Sequence, residues 1–319
     1  PAIEVVGTAS NGIDALEKIQ SLRPDVVTLD IEMPKMNGLD VLRELQKAVY
    51  RPRILMLSSL TSKDAEATVE AIRLGADDFM LKPKDLPHVR DIADELVAKV
   101  KHLVTIPSGT APRKPMEKGG SATRVVLIGS SAGGPPMLDT LLAALSPDLP
   151  AGIIITQHMP TGFTAALAER FNRIAPLPVK ETDNGDAVET GKILLSKAGV
   201  HTIVSAAIDN GGAKSGRIIH STAPPLHGVR PAVDKTFESA AHVYGKSCVS
   251  VILSGMGNDA GAGAKAVKDA GGTSLICDEK DCLVYGMARS AISQGAVDRV
   301  LPLLKLAEEI ERVVQEMED

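Results

Sequence analysis

Residues 124–139 read RVVLIGSSAGGPPMLD. An apolar run stops at Gly129, two serines and two glycines follow, and Pro135-Pro136 open a helical pattern, a position where proline is tolerated. A strand, a Gly-rich turn and a helix can cradle a phosphate, or they can present a nucleophilic serine. GSSAG, from Gly129 to Gly133, fits G-x-S-x-G with Ser131 at its centre. A dinucleotide fingerprint would need G-x-G-x-x-G and an acidic residue closing the next strand. Position 131 is Ser, and the next strand, GIIITQ, is followed by His158. The nucleophile reading is favoured.

A serine hydroxyl needs a base within hydrogen-bond reach and a carboxylate to orient that base. Of seven histidines, His201 and His220 bracket a hairpin pattern as candidate cross-strand neighbours, and His88, His102 and His242 fall in helical patterns. His227 lies in a Pro-rich loop; His158 alone directly follows a parallel-type strand. For the acid, VSVILSGMGNDAGAG places Asp259 in a Gly-rich turn after another buried strand. Ser131, His158 and Asp259 are therefore expected at the carboxyl ends of parallel strands, on one edge of one sheet. Their order differs from the Ser, Asp, His order of α/β-hydrolases, which disfavours that fold.

Around this stretch the chain alternates strands and helices, the rhythm of a parallel sheet covered on both faces. EVVGTA, DVVTLD, RILMLSS and DDFMLK read as buried strands of a first domain over residues 1–103. Residues 104–122, VTIPSGTAPRKPMEKGGSA, have linker composition, and residues 123–319 form the second domain. There VVLIG, GIIITQ and VSVILSG keep the rhythm, while HTIVSAAIDNGGAKSGRIIHS predicts an antiparallel hairpin on the otherwise parallel sheet. The fold class is α/β twice over: a flavodoxin-like first domain and a Rossmann-like second one.

In the first domain three strands end in Asp30, Ser58 and Lys82-Pro83. Carboxyl ends of parallel strands line the crevice where such sheets bind ligands. An aspartate there can accept a phosphoryl group, with a hydroxyl and an ammonium to hold its oxygens.

Length and composition bound the rest. A chain of 319 residues favours about two domains. Aromatics are 2%, net charge is −5 and no dense Lys/Arg run occurs, so no nucleic-acid partner is expected. No apolar stretch approaches the ~20 residues of a membrane span, and no signal peptide opens the sequence. Cys248, Cys277 and Cys282 are too few for a disulfide framework, Cys277 and Cys282 read as small buried side chains, and the expected location is the cytoplasm.

The first domain resembles response-regulator receiver domains. The resemblance implies that Asp30 is the phosphorylation site, Ser58, Phe79 and Lys82 the switch residues, and Asp30 with Glu32 a partial Mg2+ site. PAIEVVG matches the family's second strand, so its first strand, first helix and acidic pair are expected to be missing from residues 1–103.

IGSSAGG, TQHMPTGFT, VKETDNGD, RPAVD, SGMGNDA and DCLVYGM, in this order, resemble the chemotaxis methylesterases of the CheB family. That resemblance implies a serine carboxylic-ester hydrolase acting on γ-glutamyl methyl esters of chemoreceptors, with glutamine deamidation by the same chemistry. It makes Ser131 the nucleophile, His158 the base, Asp259 the orienting acid, and the N–H groups of Met256 and Ala132 the oxyanion donors. Arg230-Pro231 and Asp234 belong to a recurrent RPxVD segment whose implied role is structural. Catalysis would need no cofactor; receiver phosphorylation would need Mg2+. The implied partners are methyl-accepting chemoreceptors and a CheA-like histidine kinase. Ala132 stands where a threonine is common, Ser254 and Ala260 replace a Thr and a Gly, and KAGVH departs from the usual Pro-Gly. Two readings compete from other classes: a non-enzymatic binding module and a nucleotide-dependent dehydrogenase.

Overall fold

The structure, a computed structural model, describes residues 3–58, 62–82, 89–105, 119–208 and 214–317. The chain divides into two compact units, residues 1–107 and 108–319.

In the first unit, helices α1 (Gly12–Leu22) and α2 (Gly38–Leu45) start at asparagine caps. Asn11 accepts from the N–H groups of Ile13 and Asp14, and Asn37 accepts from Asp40, satisfying donors that a helix start leaves free. Strands β1 (Val26–Asp30), β2 (Arg53–Ser58) and β3 (Asp78–Leu81) form a parallel sheet in that order. Helices α3 (Ser62–Arg73) and α4 (Val89–Thr105) complete the unit. Leu29, Ile54, Met56 and the inner faces of α1 and α2 share one core.

The expected strand at EVVGTA does not form. Residues 3–9 join no ladder, and Val5 is 78% exposed. Among the described residues nothing pairs with that edge of β1, so the segment lacks the neighbour that would make it a strand. The helix α4 also runs to Thr105, two residues into the stretch read as linker.

The second unit is built on a seven-stranded parallel sheet. Its strands are β4 (Val125–Ser130), β5 (Gly152–Gln157), β6 (Val179–Glu181), β7 (Ile193–Leu195), β10 (Cys248–Ile252), β11 (Thr273–Cys277) and β12 (Arg299–Leu301). Their spatial order is β12-β11-β10-β4-β5-β7-β6. The chain lays strands to one side of β4 and then returns to the other, so β4 sits at the topological switch point where such sheets bind ligands. All six residues of β4, all six of β5 and all five of β10 are buried, as strands covered on both faces must be.

The covering helices are α5 (Gly134–Ala144), α6 (Thr164–Ile174), α7 (Val233–Tyr244), α8 (Gly261–Asp269), α9 (Gly286–Ser293) and α10 (Leu303–Glu316). The hairpin strands β8 (His201–Ile208) and β9 (Lys214–Ser221) form a ladder with each other, and β9 makes one further antiparallel bridge, Arg217 to Ala187. They make a separate two-stranded sheet rather than an edge of the main one, because α7 packs between: Val204 and Ile218 of the hairpin join Phe237 and Ala240 of α7 in one core. His201 and His220 lie one register step apart and so face opposite sides. The hairpin turn, Asn210-Gly211-Gly212, lies outside the described residues.

Candidate active site

Three adjacent strands, β10, β4 and β5, bring the expected residues to one sheet edge. Ser131 immediately follows β4, His158 immediately follows β5, and Asp259 lies seven residues past the end of β10. The turn after β4 is fastened from both neighbours. Ser131 N–H donates to Ser254 O (2.8 Å), and Gln157 Nε2 donates to Ser131 O (2.9 Å) and His158 O (2.8 Å). Ser130 Oγ in turn donates to Gln157 Oε1 (2.6 Å). Gly134 leaves room at this crowded point: a Cβ there would lie 2.2 Å from Gln157 Oε1 and 2.9 Å from Ser130 Cβ, so a larger residue would have to displace them. Ser131 is not among the residues with positive φ, so the turn differs from the strained elbow of α/β-hydrolases.

His158 Nε2 lies 2.7 Å from Asp259 Oδ2, and the two side chains are 10% and 2% exposed. Burial pushes the Asp259 carboxyl up, but the His158 bond and the N–H groups of Asp234 and Val233 outweigh it and hold the carboxyl below its ordinary value. Asp259 is therefore an anion at neutral pH and can only accept, so Nε2 carries the proton. The nitrogen left with a lone pair is Nδ1. Among the described residues no hydrogen bond joins Ser131 Oγ to His158; catalytic bonds often tighten only when substrate is bound.

Asp259 is held by α7. The helix begins after Ala232, which offers no side-chain cap; instead Val233 N–H donates to Asp259 Oδ2 (2.7 Å) and Asp234 N–H to Asp259 Oδ1 (2.8 Å). With Ala260 N–H on Oδ1 (3.0 Å) and His158 on Oδ2, all four lone-pair positions of the carboxylate are filled. Ala260 itself adopts φ +77°, a region that favours glycine. The N–H groups of Ala132 and Met256 donate to no protein acceptor among the described residues, although Ala132 O accepts from Ser254 Oγ (2.6 Å). The Met256 loop is held by Gly255 N–H on Val284 O (2.9 Å), and Met256 itself is 73% exposed.

His227, Asp234 and Asp259 form a cluster whose donor atoms lie within 4.8 Å of one another. A cation would need free lone pairs, and Asp259 has none left, so protein N–H groups already close this set.

In the first unit, Lys82 Nζ lies 2.5 Å from Asp30 Oδ2, and Lys82 N–H donates to Ser58 O (2.7 Å). Asp30, Ser58 and Lys82 thus meet at the carboxyl edge of β1, β2 and β3. Gly38 explains part of the placement: its N–H donates to Ile31 O (2.9 Å), and a Cβ there would sit 2.2 Å from Asp30 O. Ser58 Oγ accepts from Thr68 Oγ1 (2.7 Å), and Phe79 is half-buried in β3. Glu32 is exposed and gives Asp30 only its backbone N–H (3.3 Å). Mg2+ is usually held by one or two carboxylates with phosphoryl oxygens and water, so Asp30 suits as one ligand. Among the described residues no cluster of metal-ligating side chains gathers there.

A family model described as CheB methylesterase matches residues 126–310, and one described as response regulator receiver domain matches residues 1–94. The chain belongs to the CheB methylesterase family. The protein-glutamate methylesterase/protein-glutamine glutaminase 1 of Methanospirillum hungatei is 56% identical over 318 residues, covering 99% of this chain and 92% of that one. The protein-glutamate methylesterase/protein-glutamine glutaminase of Thermotoga maritima is 38% identical, covering 98% and 92%. The crystal structure of the Thermotoga maritima CheB methylesterase catalytic domain superposes with a TM-score of 0.56 at 38% identity, over 60% of this chain and 98% of that one. The CheB-family unit is the one carrying Ser131, His158 and Asp259, and the receiver unit the one carrying Asp30.

Those four residues were readable from the sequence; Gln157, Asp234 and His227 were not. Asp234 was visible only as part of RPAVD, and its hydrogen-bond role depends on two helices meeting.

Proposed function

We propose that this protein is a phosphorylation-regulated protein-glutamate methylesterase, and a glutaminase by the same chemistry, acting on methyl-accepting chemoreceptors. The observation that carries the reading is the His158–Asp259 pair beside a serine whose neighbouring N–H groups, on Ala132 and Met256, have no acceptor among the described residues.

In this mechanism His158 Nδ1 takes the Ser131 Oγ proton as Oγ attacks the ester carbonyl carbon. Asp259 stabilises the imidazolium through Nε2–H and fixes the tautomer. The tetrahedral oxyanion is met by the Ala132 and Met256 N–H groups, which act where charge develops. Collapse breaks the C–O bond, and His158 returns the proton to the leaving methoxide as methanol. Water, deprotonated by the same nitrogen, then hydrolyses the acyl-enzyme to glutamate. A glutamine substrate would release ammonia instead.

On the receiver, Asp30 is the proposed phosphoryl acceptor from a CheA-like histidine kinase. Lys82 would pair with a phosphoryl oxygen, and Ser58 would have to exchange its bond from Thr68 for one to phosphate. Phe79 follows that movement. Asp30 would be one ligand of the Mg2+ that supplies charge neutralisation at the phosphoryl group, with Glu32 beside it. We place the protein in the cytoplasm; no helix among the described residues is long and apolar enough to cross a membrane.

A fluorophosphonate probe tests the nucleophile. One adduct is expected, on the peptide carrying Ser131. A protein that stays unlabelled while folded would favour the binding-module reading.

A further inference from the structure

The buried site holds a second histidine–aspartate pair, built like the first. Asp259, just before α8, caps α7 by accepting from Val233 and Asp234 N–H. Asp234, in the first turn of α7, caps α8 in return: Gly263 N–H donates to Asp234 Oδ1 (2.7 Å), and α8 has no side-chain cap of its own. Each carboxylate also meets one imidazole, His158 Nε2 at Asp259 and His227 Nε2 at Asp234 Oδ2 (2.9 Å).

This reciprocal capping makes the position of Asp259 depend on Asp234. Asp234 is 1% exposed and stands next to another carboxylate. Burial pushes its carboxyl up, the Gly263 N–H opposes this, the Asp259 charge raises it again, and His227 lowers it. An uncompensated buried carboxylate is costly, and it relieves the cost by taking a proton or by moving. His227 is the only side chain among the described residues that donates to it. The loop holds this histidine in place. Its backbone adopts φ +54°, and its side chain, 37% exposed, reaches inward to the 2%-exposed Asp234 side chain. Arg230 of the same loop is turned away, donating to Thr222 O and Ala223 O.

We propose that His227 is a positioning residue of the esterase, holding Asp234 so that the two helix starts keep Asp259 aligned on His158. The proposal rests on the triad reading given above. It extends that reading from three residues to a five-residue network in which His227 touches neither substrate nor the reacting atoms.

The test is steady-state hydrolysis of a γ-glutamyl methyl ester by the full chain, with His227→Ala and His227→Gln. His227→Ala should lower kcat about tenfold, the scale of losing an outer orienting partner, with KM unchanged. His227→Gln can still donate an N–H to Asp234 Oδ2 and should recover most of kcat. Should His227→Ala not fold, His227→Asn, whose shorter amide falls short of Asp234, takes its place. A His227→Ala kcat within twofold of the parent, a change in KM alone, or a Gln variant no better than Ala would each overturn the proposal. Ser131→Ala, run alongside, separates the two levels: if it remained active, the triad reading itself would fail, whatever the His227 variants did.

Discussion

His158 presents Nε2, not Nδ1, to Asp259, at 2.7 Å from Oδ2. The consequence is chemical. The proton that orients the ring sits on Nε2, which leaves Nδ1 of the neutral ring as the nitrogen that would take the Ser131 proton in the proposed mechanism.

The first expectation concerns the triad. Ser131→Ala and His158→Ala should each lower ester hydrolysis by orders of magnitude, and the double variant should lose little more, since members of one unit are not additive. Asp259→Asn should cost less, because Asp259 orients the ring and stabilises the imidazolium rather than reacting itself. Initial rates of the four variants check this. Additive losses would contradict a single catalytic unit.

Asp259 also has a structural duty, which separates two substitutions. Asp259→Ala leaves the Val233 and Asp234 N–H groups buried without acceptors, at about 1–3 kcal/mol each. For a unit of this size each kcal/mol lowers Tm by about 2–4 °C. Asp259→Asn keeps a carbonyl oxygen at the helix start and should melt well above Asp259→Ala. Equal melting temperatures would mean that the α7 cap contributes nothing.

The pH dependence of stability has a definite sign. The Asp259 carboxyl is held below its ordinary value, so it binds its proton less readily folded than unfolded. Its stabilising effect is full above the unfolded pKa of ~3.9 and is lost as pH falls through the lower folded value. Asp234, raised by burial, acts oppositely and loses its contribution as pH rises. The stability gap between the parent protein and Asp259→Asn should be wide at pH 7 and close below about pH 4. Denaturation at a series of pH values reads it, and a gap that widened in acid would reverse the assignment.

Gly134→Ala tests the fastening of the Ser131 turn. The new Cβ would lie 2.2 Å from Gln157 Oε1, so Gln157 must shift and release Ser131 O and His158 O. Hydrolysis should fall at least about tenfold, and crowding of this kind typically costs about 1–3 kcal/mol of stability. Parent-like kinetics would show that the bonds from Gln157 to Ser131 and His158 do not matter to hydrolysis.

Much of this site was legible in the sequence for one physical reason. Buried parallel strands are continuous apolar runs, so their carboxyl ends could be located closely: Asp30 closes β1, and Ser131 and His158 directly follow β4 and β5. What could not be read depends on pairing through space. EVVGTA has strand composition but no strand partner among the described residues, and β6, β7 and β12 are three residues each, too short for a periodic signal. The hairpin was legible, but not its separation from the main sheet by α7. Asp234 and His227 are seven residues apart in the chain, and nothing in that spacing announces that Asp234 caps a helix beginning at Gly261.

The most direct measurement is methanol release from a receptor helix carrying γ-glutamyl methyl ester, by the full chain and by Ser131→Ala. The account expects one methanol per new glutamate from the parent protein and almost none from the variant. Methanol release by Ser131→Ala at a rate near the parent's would contradict it.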